Sequence, residues 1–449
     1  MIPIANMNLP GGKTRRDDGK TRRVLFGGLY YTFFANGFTA LVISAVLPHV
    51  IETYGLSYEM AGTILSLIAV GNLVATYLSG FLADRFGLKA TIVVLSTFVG
   101  VGYLGLLLTS SKLLLCVFAV MIGLTRGAIS NVNNYVINNE SSGKPKYLNY
   151  LHTFYAVGAF LSPLFISLLM TVLDSWKAAV AGSLAIAFSI VGVYSVLPIG
   201  NKRTVGRQEE QAHASCQGQD PRHAPVMSRG GNTDSGGMIE NGDGDPASGR
   251  RTRTKLGVVF YLSCVVLFFY VGAENAINGW LVTYLTSENL VSTAFAQALL
   301  SGVWLIMIAG RLICAALSER VPKTLIVFVC SLGATATFSV FLISSSPLII
   351  TISLVGVGFF LSPLYPTIIS VCGDALSGRA GLMGTFLSVG GLGKIVVPYV
   401  VGAAADRWSM TWGMWTILIS LVLVVVFALL VSRSRVKQPS IPTVLSSDK

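Results

Sequence analysis

Twelve apolar runs, each long enough to cross a lipid bilayer as a helix, constrain this chain more than any other feature. A crossing needs roughly 20 mostly apolar residues at ~1.5 Å rise each to span a hydrocarbon core of ~30 Å. Such runs lie at about 24–51, 58–82, 88–110, 113–138, 147–170 and 176–199. They resume at about 256–285, 294–317, 323–344, 347–370, 381–404 and 411–432. Backbone amides in lipid must find partners within the protein, which leaves helices or a closed barrel. The runs are continuously apolar rather than alternating, which excludes the barrel. The expected fold is an all-α membrane protein: twelve transmembrane helices in two pseudo-symmetric six-helix bundles.

Composition agrees. Of 449 residues, 53% are hydrophobic and 12% charged, about half the charged fraction of an ordinary soluble domain. The formal charge of +12 does not mark a nucleic-acid binder, because the basic residues fall in short clusters between apolar runs with no aromatic-interleaved face. Cys116, Cys264, Cys314, Cys330 and Cys372 lie inside apolar runs and Cys216 in a polar stretch. None has metal-ligand spacing or forms a paired framework, so all six read as small hydrophobes and no metal or cofactor is expected. No nucleophile triad, metal cluster or phosphate loop stands out, so an enzyme is not expected. The first apolar run is too long for a cleaved leader and reads as a retained span.

The punctuation divides the chain into a polar, basic tail (1–23), a six-run half (24–199), a linker (200–254), a second half (255–432) and a tail (433–449). The linker holds Gly-Gly and Asp-Gly pairs and mixed charges such as Glu209, Glu210, Arg250 and Arg251, too little apolar surface to fold alone. With the N-terminus placed in the cytoplasm, only Lys112, Lys177 and Arg407 fall in outer loops, and only Arg126, Arg311 and Lys394 within spans. Every other basic residue is then inside, so both termini are expected there, in a plasma or bacterial inner membrane. The halves also repeat. At one offset of 235 residues, Gly37 falls on Gly272, Asp84 on Glu319, Arg85 on Arg320, Gly123 on Gly358, Gly158 on Gly393 and Pro163 on Pro398. Six matches at corresponding places argue for a duplicated unit, the arrangement that builds a central site between parallel repeats.

Between the second and third runs stands Gly80-Phe81-Leu82-Ala83-Asp84-Arg85-Phe86-Gly87-Leu88-Lys89. It resembles the signature of the major facilitator superfamily: glycine, three residues, aspartate, arginine, one residue, glycine, then a basic residue. Gly87 suits a tight turn, Asp84 suits a helix N-terminus, and Arg85 and Lys89 supply cations on the inner side. The resemblance implies that Gly80, Asp84, Arg85, Gly87 and Lys89 lock an inner gate; the alternative is an anchor that only holds the loop. Glu319-Arg320-Val321-Pro322-Lys323 reads as a degraded copy.

A closer resemblance, to fucose-permease-like sugar transporters, rests on three stretches. These are Glu274 with Asn278-Gly279-Trp280 and Tyr284, Leu151-His152 with Gly158-Ala159 and Pro163, and Ser362-Pro363-Leu364-Tyr365-Pro366-Thr367. It implies two rocking bundles, a monomer, and a small solute taken up with protons. The chain departs from that group where fucose permease carries coupling carboxylates in its first and fourth spans. Here Ser44 and the Ala128-Ile129 region offer no acid, so that proton path and fucose itself do not transfer.

Ionisable groups at mid-bilayer cost roughly 2.5–3.5 kcal/mol on insertion scales unless paired or wet, so those within spans should face the bundle interior. Arg126 opens a polar stripe with Ser130, Asn133 and Asn134 at steps of three and four, one helical face. It reads as cavity lining, with interhelical hydrogen bonding as the alternative. Glu274, paired at i+4 with Asn278, is the one acid near mid-depth and the candidate for proton coupling; a fixed ion pair with Lys394 or Arg126 is the alternative. Lys394 either pairs with Glu274 or receives an anionic group of the solute. Arg311 lies nearer the inner end and reads as a gate latch. His152 either titrates near neutral pH or sits as a satisfied interhelical histidine. Tyr155, Trp280, Tyr284 and Tyr365 are candidate stacking surfaces. The expected activity is proton-coupled movement of a sugar, sugar acid or other carboxylate, since cations outnumber acids. The rivals are an exporter of amphipathic compounds and a transporter-like receptor that binds without moving its ligand.

Overall fold

The computed structural model describes residues 15–141, 145–199, 257–317, 321–376 and 380–436. The proposed linker, the outermost parts of both tails, Cys216, Glu319 and Arg320 lie outside the described residues. Six helices come first: α1 (Arg15–Tyr54), α2 (Tyr58–Phe86), α3 (Leu88–Leu108), α4 (Lys112–Glu140), α5 (Pro145–Leu173) and α6 (Trp176–Val196). The second half holds α7 (Val258–Ser287), α8 (Thr293–Leu317), α9 (Lys323–Ile343), α10 (Pro347–Leu361), α11 (Leu364–Val371), α12 (Gly373–Leu376), α13 (Ala380–Arg407) and α14 (Met410–Val436). Among the described residues, twelve spans are long and apolar enough to cross a membrane, with α10 and α11 together forming the tenth. An even number of crossings brings the start of α1 and the end of α14 to one end of the bundle, here the terminal face. The other end is the distal face.

Two details differ from the sequence reading. α1 begins at Arg15, well before its apolar run, because outside lipid a polar turn extends a helix without penalty. There Arg22 donates to the Glu140 carbonyl at 2.7 Å, tying α1 to the end of α4. The tenth span breaks at Ser362-Pro363. Pro363 has no N–H for the Phe359 carbonyl, and the Ser362 hydroxyl donates to that carbonyl instead, at 2.9 Å. The short α11 that follows carries Tyr365 near its start.

The internal repeat is visible as helix crossings. A Cβ on Gly37 would strike the Tyr155 carbonyl oxygen and one on Gly158 the Phe34 carbonyl oxygen, so α1 and α5 cross backbone to backbone. In the second half, Gly393 stands against the Phe268 carbonyl and Gly272 against Val397, making the matching crossing of α7 and α13. Gly123 of α4 abuts the Ile68 carbonyl of α2; its repeat partner Gly358 abuts the Val303 carbonyl of α8, again 235 residues on. Because lipid provides no hydrophobic driving force between helices, such close approaches supply much of the packing energy between them.

Candidate functional site

The site is assembled on the seam between the halves. Tyr270, Glu274 and Asn278 lie at i, i+4 and i+8 on one face of α7. Arg126, Ser130 and Asn134 do the same on α4. α8 contributes Trp304 and Arg311, seven residues apart, and α5 contributes His152 and Tyr155. α13 adds Lys394, held at close range by the Gly393 crossing.

These residues converge. Arg126, from the first half, and Glu274 both act electrostatically on Lys394. Glu274 also acts on Tyr270 and on Tyr365, and Arg311 acts on Tyr270 and His152. Arg126, Glu274, Lys394 and Arg311 are all half-buried. Among the described residues, no ion pair closes between Glu274 and any of the three cations. The Lys394 backbone carbonyl accepts weakly from Asn275, at 3.5 Å. Two donors at this locus are screened from solvent yet have no partner among the described residues: Arg126 Nε and Arg311 Nε. Buried donors are nearly always bonded, so unmatched ones mark where a polar molecule or a second conformation would satisfy them.

A short relay crosses the seam at mid-depth. Arg126 Nη2 donates to the Tyr155 hydroxyl at 3.4 Å. The Tyr155 ring packs on Trp304 at 5.9 Å, and Trp304 Nε1 donates to Asn278 Oδ1 at 3.1 Å. On its terminal side, His152 and Tyr365 are exposed. His152 sets its ring edge-on to Phe33 at 5.4 Å. On the distal side the seam is sealed. Gln297 of α8 donates to the Ala45 carbonyl at 2.8 Å, Ser66 to the Ile395 carbonyl at 2.6 Å, and Tyr58 packs on Trp280 at 6.2 Å. The locus is therefore accessible from the terminal face and closed toward the distal one.

Several expected residues sit elsewhere. Asn133 is fully buried inside the first half. Its amide donates to the Leu29 carbonyl and to Thr32 Oγ1, both at 2.9 Å, and its oxygen accepts from the Tyr194 hydroxyl at 2.6 Å. It joins α1, α4 and α6 and does not line the seam. Ser130 accepts from Asn36 at 3.4 Å, and Asn134 turns back to the Ser130 carbonyl at 2.7 Å. Trp280 is no stacking surface: it is fully buried, donates to the Pro398 carbonyl at 3.0 Å and abuts Gly402. Tyr284 is likewise buried, against Phe341. At the signature loop, Gly87 adopts φ 91° and caps α2 through its N–H to the Ala83 carbonyl at 2.9 Å, a conformation open to glycine. Asp84 is exposed and engaged, Arg85 lies over the Phe86 ring at 5.5 Å, and Lys89 begins α3 half-buried. Gly80 faces open space. Trp304 and Tyr270 were not singled out by the sequence reading, although each shares a helical face with a residue that was.

A pseudo-symmetric helical membrane protein with ionisable groups gathered on the seam between its halves has the build of a secondary transporter. The family model described as Major Facilitator Superfamily matches residues 29–376 and 263–446, and the chain belongs to that family. It is 23% identical over 389 residues to Bypass of stop codon protein 6 of Saccharomyces cerevisiae, covering 83% of this chain and 75% of that protein. Among solved structures it is similar to a bacterial homologue of the human lysosomal transporter Spinster in an inward-facing, unoccupied conformation, with a TM-score of 0.69 at 14% identity, covering 94% of this chain and 99% of that one. A point variant of the nucleoside transporter NupG gives 0.68 at 13% identity, over 91% and 99% of the two chains. The D-xylose-proton symporter gives 0.66 at 11%, over 92% and 97%. At these identities the likeness to solved structures is one of fold.

Proposed function

We propose that this protein moves a small polar solute across its membrane by alternating access, with protons as the driving ion and Glu274 as the group that carries them. One observation supports this above the others. Arg126 from the first half meets Glu274 and Lys394 from the second, all mid-span, without closing into a fixed pair. A charge set split across the seam is remade whenever the halves rock, so its ionic state and its geometry are coupled. Around a single acid, three cations favour a solute that brings its own negative charge or many acceptors: a sugar acid, another carboxylate or a sugar. The aromatic surfaces of Tyr155 and Tyr365, which are not buried, suit a sugar ring. Nucleoside and xylose transporters share the fold, which is compatible with a polyhydroxylated solute.

The terminal face corresponds to the cytoplasm in this reading, because the distal loops carry Lys112, Lys177 and Arg407 as their only basic residues. The protein then acts as a monomer in a plasma or bacterial inner membrane, its halves joined by a cytoplasmic linker at 200–254. The conformation is inward-open, and Asp84, Arg85 and Lys89 close the inner gate in the opposite state. The test is flux in proteoliposomes of the full chain, with D-gluconate, D-glucuronate and D-xylose as trial solutes and an imposed pH gradient. Gradient-dependent accumulation is expected, abolished by Glu274→Gln while counterflow exchange persists. Binding without accumulation would assign a receptor instead, and full accumulation by Glu274→Gln would remove Glu274 from coupling.

A further inference from the structure

At the distal face, away from the central charges, a cleft of about 300 Å³ opens between the halves. Its walls include His49 and Glu52 from α1, Tyr58 from α2, and Thr283, Thr286 and Ser287 from α7. A second cleft of about 340 Å³, bounded by Asp174, Trp176 and Lys177, shares His49 as a wall. Two polar atoms on its wall residues are screened from solvent and have no partner among the described residues: His49 Nε2 and Thr283 Oγ1. Thr283 is only 2% exposed, so its hydroxyl has lost water without gaining a hydrogen bond, which is unfavourable by about 1–3 kcal/mol. Packing alone does not require this. A valine has the same shape and leaves nothing unmatched.

We propose that this cleft is a second binding site, for a small neutral polyhydroxylated solute. The chemistry of its walls selects that class. Thr286 and Ser287 spend their protons on the helix, donating to Val282 and Tyr284 carbonyls at 2.8 and 3.3 Å, and so present oxygen lone pairs to the cleft. Glu52 adds a carboxylate acceptor, while Thr283 and His49 can donate or accept. Such a wall rewards a ligand with several hydroxyl donors. It lacks the cation an anion would need, and its one carboxylate is exposed and solvated, a weak anchor for an amine. A cleft of this size lies at the small end of ligand sites, room for a chain of four to six carbons.

The site also has a consequence for the cycle. Tyr58, one of its walls, is bound across the seam to Asp406 of α13 at 2.8 Å. The cleft is therefore complete only while the distal seam is closed. A ligand there binds one state in preference to the other and holds the closed one by that difference.

The experiment is saturation binding of radiolabelled xylitol to purified full-length protein, up to about 50 mM, well above the ~1 mM expected of a ligand held by a few hydrogen bonds. Pentane-1,5-diol and 1-aminopentane serve as competitors of matched length. Saturable binding is expected, poorly displaced by either competitor, weakened about tenfold by Thr283→Val, and retained in Trp304→Phe. Thr283→Val without ligand should melt no lower than the parent, which separates loss of the site from loss of the fold. A second variant, His49→Phe, should weaken xylitol in the same way. No saturable binding, displacement by the amine or diol as well as by xylitol, or unchanged affinity in Thr283→Val would overturn the proposal. So would a loss of binding in Trp304→Phe with none in Thr283→Val, which would assign the xylitol to the central site.

Discussion

Tyr58 donates its backbone N–H to the Asp406 carboxylate at 2.8 Å, across the seam from α2 to α13. The Glu59 N–H reaches the same carboxylate at 3.1 Å, while the Glu59 side chain accepts from the Tyr399 hydroxyl at 2.8 Å. An acid at the end of one helix thus caps the start of another, where unpaired N–H groups and the helix dipole favour negative charge. The same α2 carries Asp84 at its opposite end. The distal tie is made in the conformation seen here.

Asp406→Ala removes two charge-assisted acceptors from the closed distal seam. Loss of a cap of this kind destabilises by roughly 1 kcal/mol, about a fivefold change in an equilibrium. Spin labels on exposed Glu52 and Asn289 of the two halves should report a population with a longer distance, absent or minor in the parent. An unchanged distance distribution would show that Gln297 and the Trp280 packing suffice to hold the seam.

Asn133→Ala tests placement against sequence pattern. It strips partners from the Thr32, Leu29 and Tyr194 polar groups in a site closed to solvent. Each group left unmatched destabilises by about 1–3 kcal/mol, so a drop in melting temperature of several degrees is expected. Solute affinity of the folded fraction should be unchanged. A selective loss of affinity at normal stability would return Asn133 to the solute path.

The reasons some placements could be read from the sequence and others could not are physical. Arg126, Glu274 and Lys394 were legible because a charge inside an apolar run has few tolerable places, and the seam is one. Asn133 was misplaced because periodicity gives direction around a helix but not what covers it. Seven residues beyond Arg126, ~10 Å along the axis, that face meets α1 and α6. Trp280 and Trp304 are alike as residues in apolar runs, yet one is wedged beneath Pro398 and the other bridges the relay; only their neighbours distinguish them. Span positions and the repeat could be read almost directly, since lipid dictates the first and the Gly393 and Gly358 contacts restate the second. The break at Pro363 was written in the sequence, but its use, delivering Tyr365 toward Glu274, needed three dimensions.

Glycine pairs at the repeat crossings should be intolerant in parallel. Gly158→Val and Gly393→Val each drive side-chain atoms into a backbone carbonyl of the neighbouring helix, where overpacking costs about 1–3 kcal/mol or more. Both should lower the yield of monodisperse protein in detergent, while Gly192→Ala, which faces open space, should behave as the parent. Normal yield from one of the pair alone would mean that the two halves do not pack as equivalent units.

Lys394→Ala removes a cation on which the acid acts. Carboxylate-bearing solutes should lose about tenfold or more in affinity, roughly the 1.5–3 kcal/mol of a charged hydrogen bond, with neutral sugars losing much less. Competition binding with D-glucuronate and D-xylose reads the difference. Equal losses would reject Lys394 as the anion contact and leave it as Glu274's counter-charge.

The relay makes the sharpest demand. If Trp304 bridges the halves through its indole N–H, Trp304→Phe keeps the ring against Tyr155 but frees the Asn278 oxygen. Asn278→Ala removes the same bond from the other side. Each should weaken solute binding by about 1 kcal/mol, roughly fivefold, and the double variant should be little worse than either single one, because one bond cannot be lost twice. Additive losses in that cycle would mean that Trp304 and Asn278 act on the solute separately, and the path from Arg126 to α7 would end at the Tyr155 ring.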